Sequence, residues 1–199
     1  MEYVAFEPGI EVNGQTVYTV VDGFGSFRRL AENMLLEEGI GNRSPEGAYR
    51  IDLGGWYPQE AWLRAFRRIG ADVGQSVLYD IGLKIPANAK FPEWVIDVPS
   101  AVRSIDIAYH MNHRKRGQVM FDPATGTMLE GIGHYGFDHK PGTRVVTSTC
   151  QNPYPCSFDH GIVTAMARRF DPRSVVKHLE GSCRRKGGMS CTYVVTFDS

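Results

Sequence analysis

The stretch Glu180-Gly181-Ser182-Cys183-Arg184-Arg185-Lys186-Gly187-Gly188-Met189-Ser190-Cys191-Thr192-Tyr193-Val194-Val195 decides how the chain is read. Two thiols are joined across a basic loop with a Gly-Gly turn, and the second opens a run rich in β-branched residues, the mark of a strand. Upstream, Asn152-Pro153-Tyr154-Pro155-Cys156 is a rigid turn that ends in a thiol at a predicted helix start. A helix N-terminus favours the thiolate, the form that binds metal. Zinc asks for four ligands drawn from thiolate, imidazole and carboxylate. Cys156, Glu180, Cys183 and Cys191 supply such a set, with Cys150 and His178 as alternative ligands. A four-cysteine set that includes Cys150 would also suit an iron–sulfur cluster. Arg184, Arg185 and Lys186 would offset the negative charge of the site and lower the thiol pKa values.

Around this stretch the composition is ordinary. The chain has 199 residues, 42% hydrophobic and 22% charged, with no net charge. It is long enough to bury a core without staples, and the charge balance leaves no electrostatic footprint for nucleic acid. No apolar run reaches the length of a membrane span, and Met1-Glu2-Tyr3-Val4 does not open a signal peptide. The expectation is a cytoplasmic protein, in which four cysteines favour metal or redox chemistry over disulfides.

Working toward the N-terminus, Phe158, Ile162, Met166 and Phe170 recur at helical spacing. Strands are expected at Thr143–Cys150, Ser174–His178 and Cys191–Phe197, with more around the turn at 122–126. Before residue 114 helices dominate. One runs from a Ser26 cap to about Glu38. A second carries Trp62, Phe66 and Ile69 and stops at Gly70. A third covers about Val73 to Ile81, and a fourth Ser100 to His113. Asn13-Gly14 reads as a hairpin turn. Helices followed by an antiparallel sheet with a packed helix argue a single α+β unit over 1–199.

The run Glu180-x-x-Cys183-x7-Cys191, followed by Thr192-Tyr193-Val194-Val195, resembles the C-terminal signature of the V4R (4-vinyl reductase) domain. The likeness to the metal signature covers 156–197, within a V4R-like region of 100–197. It implies the fold shared by that family, Golgi-transport components and, more distantly, NO-binding signalling domains. It also implies zinc on Cys156, Glu180, Cys183 and Cys191. In phenol-sensing relatives a histidine and a tryptophan hold an aromatic ligand near the zinc. No tryptophan follows Trp94 here, so that pair is not reproduced in order.

His110, His134 and Tyr135 are the pocket residues expected on this reading. The glycine-laced run Gly131-Ile132-Gly133-His134-Tyr135 permits close approach of a ligand. The expected function is a zinc-stabilised sensor module for a small hydrophobic or aromatic molecule, homodimeric and signalling through a separate partner protein. Two alternatives stand beside it. One is an enzyme or accessory protein of reductase type, although the sequence carries no GxGxxG after a strand, GxSxG or HExxH and names no catalytic residue. The other is a haem or iron–sulfur sensor using His110, His113 or all four cysteines.

Overall fold

A computed structural model describes residues 2–89 and 91–198. Five α-helices are α1 (Gly14–Gly23), α2 (Arg28–Glu37), α3 (Gln59–Lys84), α4 (Val98–Met111) and α5 (Cys156–Arg168). The strands of the N-terminal half are β1 (Ile10–Asn13), β2 (Asn42–Arg43), β3 (Tyr49–Arg50) and β4 (Trp56–Pro58). Then come β5 (His113–Lys115), β6 (Gln118–Val119), β7 (Phe121–Asp122) and β8 (Thr127–Met128). The C-terminal strands are β9 (His134–His139), β10 (Val145–Gln151), β11 (Val175–His178) and β12 (Cys191–Thr196). The fold mixes helices with antiparallel sheets. One four-stranded sheet has the order β4-β1-β5-β6 and a second β11-β12-β10-β9, while β2 pairs with β3 and β7 with β8 in two-stranded ribbons.

In the second sheet alternation sets the buried face. Cys191, Tyr193 and Val195 of β12 point inward, with Val146, Ser148 and Cys150 of β10 opposite them. Residues directly opposite in a ladder share a face, and α5 packs against this one. Phe158, Ile162 and Met166 are buried on α5, as their spacing predicts. Trp62, Phe66 and Ile69 of α3 complete the layer, with the rings of Trp62 and Phe66 stacked at 4.9 Å. Helices α3 and α5 cross with their backbones in contact at Gly82 and Gly161. A Cβ on Gly161 would lie 2.2 Å from the carbonyl oxygen of Tyr79.

Three local expectations are corrected. Asn13-Gly14 is not a hairpin: Asn13 ends β1 and caps α1, its side chain accepting from the Gln15 amide at 2.9 Å. The helices expected on either side of Gly70 are the two arms of α3, and the break falls at Gly74, whose φ of 82° suits a residue without a Cβ. Helix α4, expected from Ser100, begins at Val98 and is capped by Asp97. Ser100 completes a reciprocal capping box with it. No helix among the described residues is long and apolar enough to cross a membrane.

Candidate functional site

Strand β11 ends at His178, and β12 begins at Cys191 beside it in the sheet. Between them the basic loop turns back on itself, the amides of Lys186 and Gly188 both donating to the carbonyl of Cys183 at 2.9 Å. The first residue of α5 is Cys156. These elements bring Cys156, His178, Cys183 and Cys191 together, with one ligand atom from each within 4.8 Å of all the others. The sulfur of Cys183 lies 3.9 Å from that of Cys156 and 4.0 Å from that of Cys191. Thiolates on a tetrahedral zinc, with bonds of about 2.3 Å, sit roughly 3.8 Å apart. His178 Nε2 is buried without a hydrogen-bond partner. The Cys191 thiol is pushed down by its hydrogen bond with Cys156, helped by the amide of Arg184, while Cys156 is pushed up.

The residue that the fold brings to the three thiols is therefore His178 and not Glu180. The strand stops at His178, and Glu180 falls in the exposed turn beyond it. Cys150 stands opposite Cys191 in register, yet its sulfur is not among the clustered atoms and contacts Ser148 Oγ at 3.8 Å. The basic loop is also divided. Arg185 and Lys186 are exposed, whereas Arg184 is fully buried. Its guanidinium pairs with Asp159 and donates to Asn152 and to the carbonyl of Tyr154. Arg184 and Glu2, which accepts from the Cys156 amide at 2.6 Å, carry structure that nothing in their local sequence announces.

Beside this cluster, α3, α4 and α5 enclose an apolar chamber of about 110 Å³. Trp62, Ile105, Tyr109, Tyr154, Phe158 and Ile162 form much of its wall. It shares Thr16, Ile85, Ile105, Ala108, Asn112 and Ile162 with a second, outer space of about 360 Å³ that reaches Phe91. The guanidinium of Arg169 sits 4.5 Å from the Phe91 ring centroid. His113 is the one histidine in the chamber wall. Its Nδ1 lies 2.8 Å from the carbonyl oxygen of Tyr109 and its Nε2 2.8 Å from the Tyr154 hydroxyl. A carbonyl only accepts, so Nδ1 carries the proton and Nε2 presents its lone pair. Burial pushes the imidazole down to about 4, so it is neutral.

Of the expected pocket residues, Tyr135 lines the chamber and donates from its hydroxyl to Asp159 at 2.5 Å. His110 and His134 do not line it. The chamber-facing residues of α4 are Ile105, Ala108, Tyr109 and Asn112, while Asp106 and His110 occupy another face and meet His134 there. Sequence reading reached His113 only as an alternative ligand, because its role depends on which side of α4 covers the chamber.

No protein-family model matches the sequence, and no curated relative matches it. Solved structures do. An H-NOX protein from S. oneidensis in the Fe(II)NO ligation state superposes with a TM-score of 0.58 at 13% identity, covering 94% of this chain and 99% of that one. The Fe(II) unliganded H-NOX protein from K. algicida gives 0.58 at 13% identity, covering 94% and 97%. An H-NOX family structure solved to probe heme distortion gives the same TM-score and identity, covering 94% and 95%. The V4R resemblance is thereby overturned. The match that suggested it covers a short stretch around two thiols and a strand, whereas the likeness to H-NOX proteins extends over 94% of the chain. The chain has the fold of the H-NOX proteins.

Proposed function

We propose that this protein is a sensor module that holds a haem across the inner chamber between α3, α4 and α5 and the outer space that shares its wall, with His113 as the iron ligand, and signals through a separate partner. The observation that carries the reading is the posture of His113. An imidazole whose Nδ1–H is fixed on a backbone carbonyl offers Nε2 to a metal in a set orientation. Here that nitrogen faces an apolar chamber and is engaged only by the Tyr154 hydroxyl. The aromatic and aliphatic walls suit the apolar rings of the group, and Arg169, which does not line the outer space but lies over the ring of Phe91 that does, would have to reach past that ring to meet its acidic edge. Bound haem would supply an iron centre for a diatomic gas such as the NO of the S. oneidensis structure. The protein's own part is to present Nε2, to exclude water with Trp62 and Phe158, and to keep a neutral imidazole.

The Cys156–His178–Cys183–Cys191 group is proposed as a structural zinc site. All four positions are filled by protein, so no position is left for substrate. Two observations support it: the sulfur separations and the orphaned Nε2 of His178.

The test is reconstitution of purified protein with haem, followed by visible spectroscopy. Saturable uptake of one haem per chain, with a Soret band that His113→Ala shifts and Tyr154→Phe retains, supports the reading. Absence of saturable uptake, or an identical spectrum in His113→Ala, overturns it. A second reading rests on the inner chamber itself, which at about 110 Å³ is lined by no lysine or arginine among the described residues. That space suits a small uncharged aromatic molecule held by Tyr154 and His113. Displacement of a fluorescent apolar probe by phenol, in protein that takes up no haem, would favour it.

A further inference from the structure

We infer that Asp106, His110 and His134 form a second metal site, separate from the thiol cluster, that takes a divalent transition-metal ion such as Zn²⁺. Asp106 and His110 stand four residues apart on α4, so both side chains leave the same face of the helix. His134 is the first residue of β9 and comes against that face. One carboxylate oxygen and one nitrogen of each ring all lie within 4.8 Å of one another. The two rings are 4.9 Å apart, tilted by 31°.

His110 supplies the independent sign of a ligand. Its side chain is completely buried. Nδ1 lies 2.8 Å from the Asp106 carbonyl oxygen, to which it donates, so Nε2 carries the lone pair. That Nε2 is buried and has no hydrogen-bond partner. A buried polar atom left unpaired is costly, and native structures rarely keep one without a water or an ion. The carboxylate is already oriented, because the Tyr135 amide donates to Asp106 Oδ1 at 2.8 Å. The other oxygen, Oδ2, lies 2.9 Å from His134 Nδ1. Ligand atoms at about 2.0–2.1 Å from a tetrahedral zinc sit roughly 3.3 Å apart. An ion would thus replace the proton shared by Asp106 and His134 with a movement of a few tenths of an ångström in that pair, while the His110 ring, whose Nδ1 is now 3.5 Å from Asp106 Oδ1, would turn to bring a lone pair to it.

Two imidazoles and a carboxylate suit zinc, iron, cobalt or nickel rather than calcium or magnesium. The site differs in kind from the thiol cluster. It has three protein ligands, and His134 is 36% exposed, so coordination positions remain open to water or a small ligand. Glu130 Oε2, 3.1 Å from His134 Nε2, holds the outer side of that ring. The two groups share no residue, so each can be emptied without the other.

The experiment compares Zn²⁺ stoichiometry of the wild type and His134→Gln by isothermal titration, with total metal checked by mass spectrometry. His134→Gln is chosen because that ring is partly exposed, whereas His110→Ala opens a buried site. Wild type should bind one Zn²⁺ per chain more than His134→Gln, and Asp106→Asn should weaken that ion at least tenfold. Co²⁺ at the same site should give visible bands without the near-ultraviolet absorption of a thiolate ligand. Equal stoichiometry in wild type and His134→Gln overturns the proposal, as does a thiolate band that accompanies the additional Co²⁺.

Discussion

Arg184 and Asp159 form an ion pair from which solvent is wholly excluded. Arg184 follows a clustered thiol, while Asp159 sits on α5 and accepts from Tyr135 in the chamber wall. Asn152 donates to the same carboxylate at 3.0 Å. Burial pushes Asp159 up and Arg184 opposes it. One polar network therefore joins the thiol cluster to the chamber. Removing a single partner leaves an uncompensated buried charge. Arg184→Met should cost about 3–5 kcal/mol, and the double variant with Asp159→Leu should regain much of that. Urea denaturation checks both, and an unchanged midpoint in Arg184→Met would show that the pair does not hold the loop.

The proposed zinc site at the thiol cluster separates His178 from Glu180 in one comparison. Cys183→Ser and His178→Ala should each lower metal content by about one ion per chain and lower the melting temperature by roughly 10 °C. That is the shift that a loss of about 3–4 kcal/mol gives a chain of this size. Glu180→Gln should change neither, because Glu180 is exposed in the turn. Metal loss in Glu180→Gln with retention in His178→Ala would reverse the ligand assignment.

His113 predicts the acid limb of stability in haem-free protein. Burial lowers its pKa from 6.5 to about 4, so the unfolded chain binds the proton more readily. Stability from this group is complete above pH 6.5 and is lost as pH falls toward 4. The loss is roughly 3 kcal/mol, at about 1.36 kcal/mol per unit. His160, also pushed down by burial, works in the same direction. His113→Gln should flatten the slope of denaturation free energy between pH 6.5 and 4. A slope equal to wild type would remove His113 as its source.

The crossing of α3 and α5 depends on the absence of side chains at Gly82 and Gly161. The oxygen 2.2 Å from a Cβ at Gly161 belongs to the backbone, so no rotamer change can relieve the clash. Gly161→Ala should cost about 1–3 kcal/mol or more through overpacking. It should also disturb the chamber, since Phe158 and Ile162 flank it on α5. Thermal melting and binding of an apolar probe measure the two effects, and a wild-type melt would count against the close crossing.

Much of the C-terminal half was legible because its patterns are local. The repeat of Phe158, Ile162 and Met166 and the alternation of Cys191, Tyr193 and Val195 each report one buried face. The N-terminal half was harder to read, because Asn13 serves equally well in a tight turn or as a helix cap. What lay after it in space, the β1 pairing with β4 and β5, chose the cap.

By itself the sequence determined that helices and antiparallel strands would form and that Cys156, Cys183 and Cys191 would stand at turns. Such features depend on neighbours within a few residues. Only the tertiary structure decided that His178 and not Glu180 completes the cluster, since that turns on where β11 stops. It alone buried Arg184 against Asp159 and turned His113 toward the chamber while His110 faced Asp106 and His134. These choices follow from which helix face meets which sheet, a relation among residues far apart in the chain that no local spacing encodes.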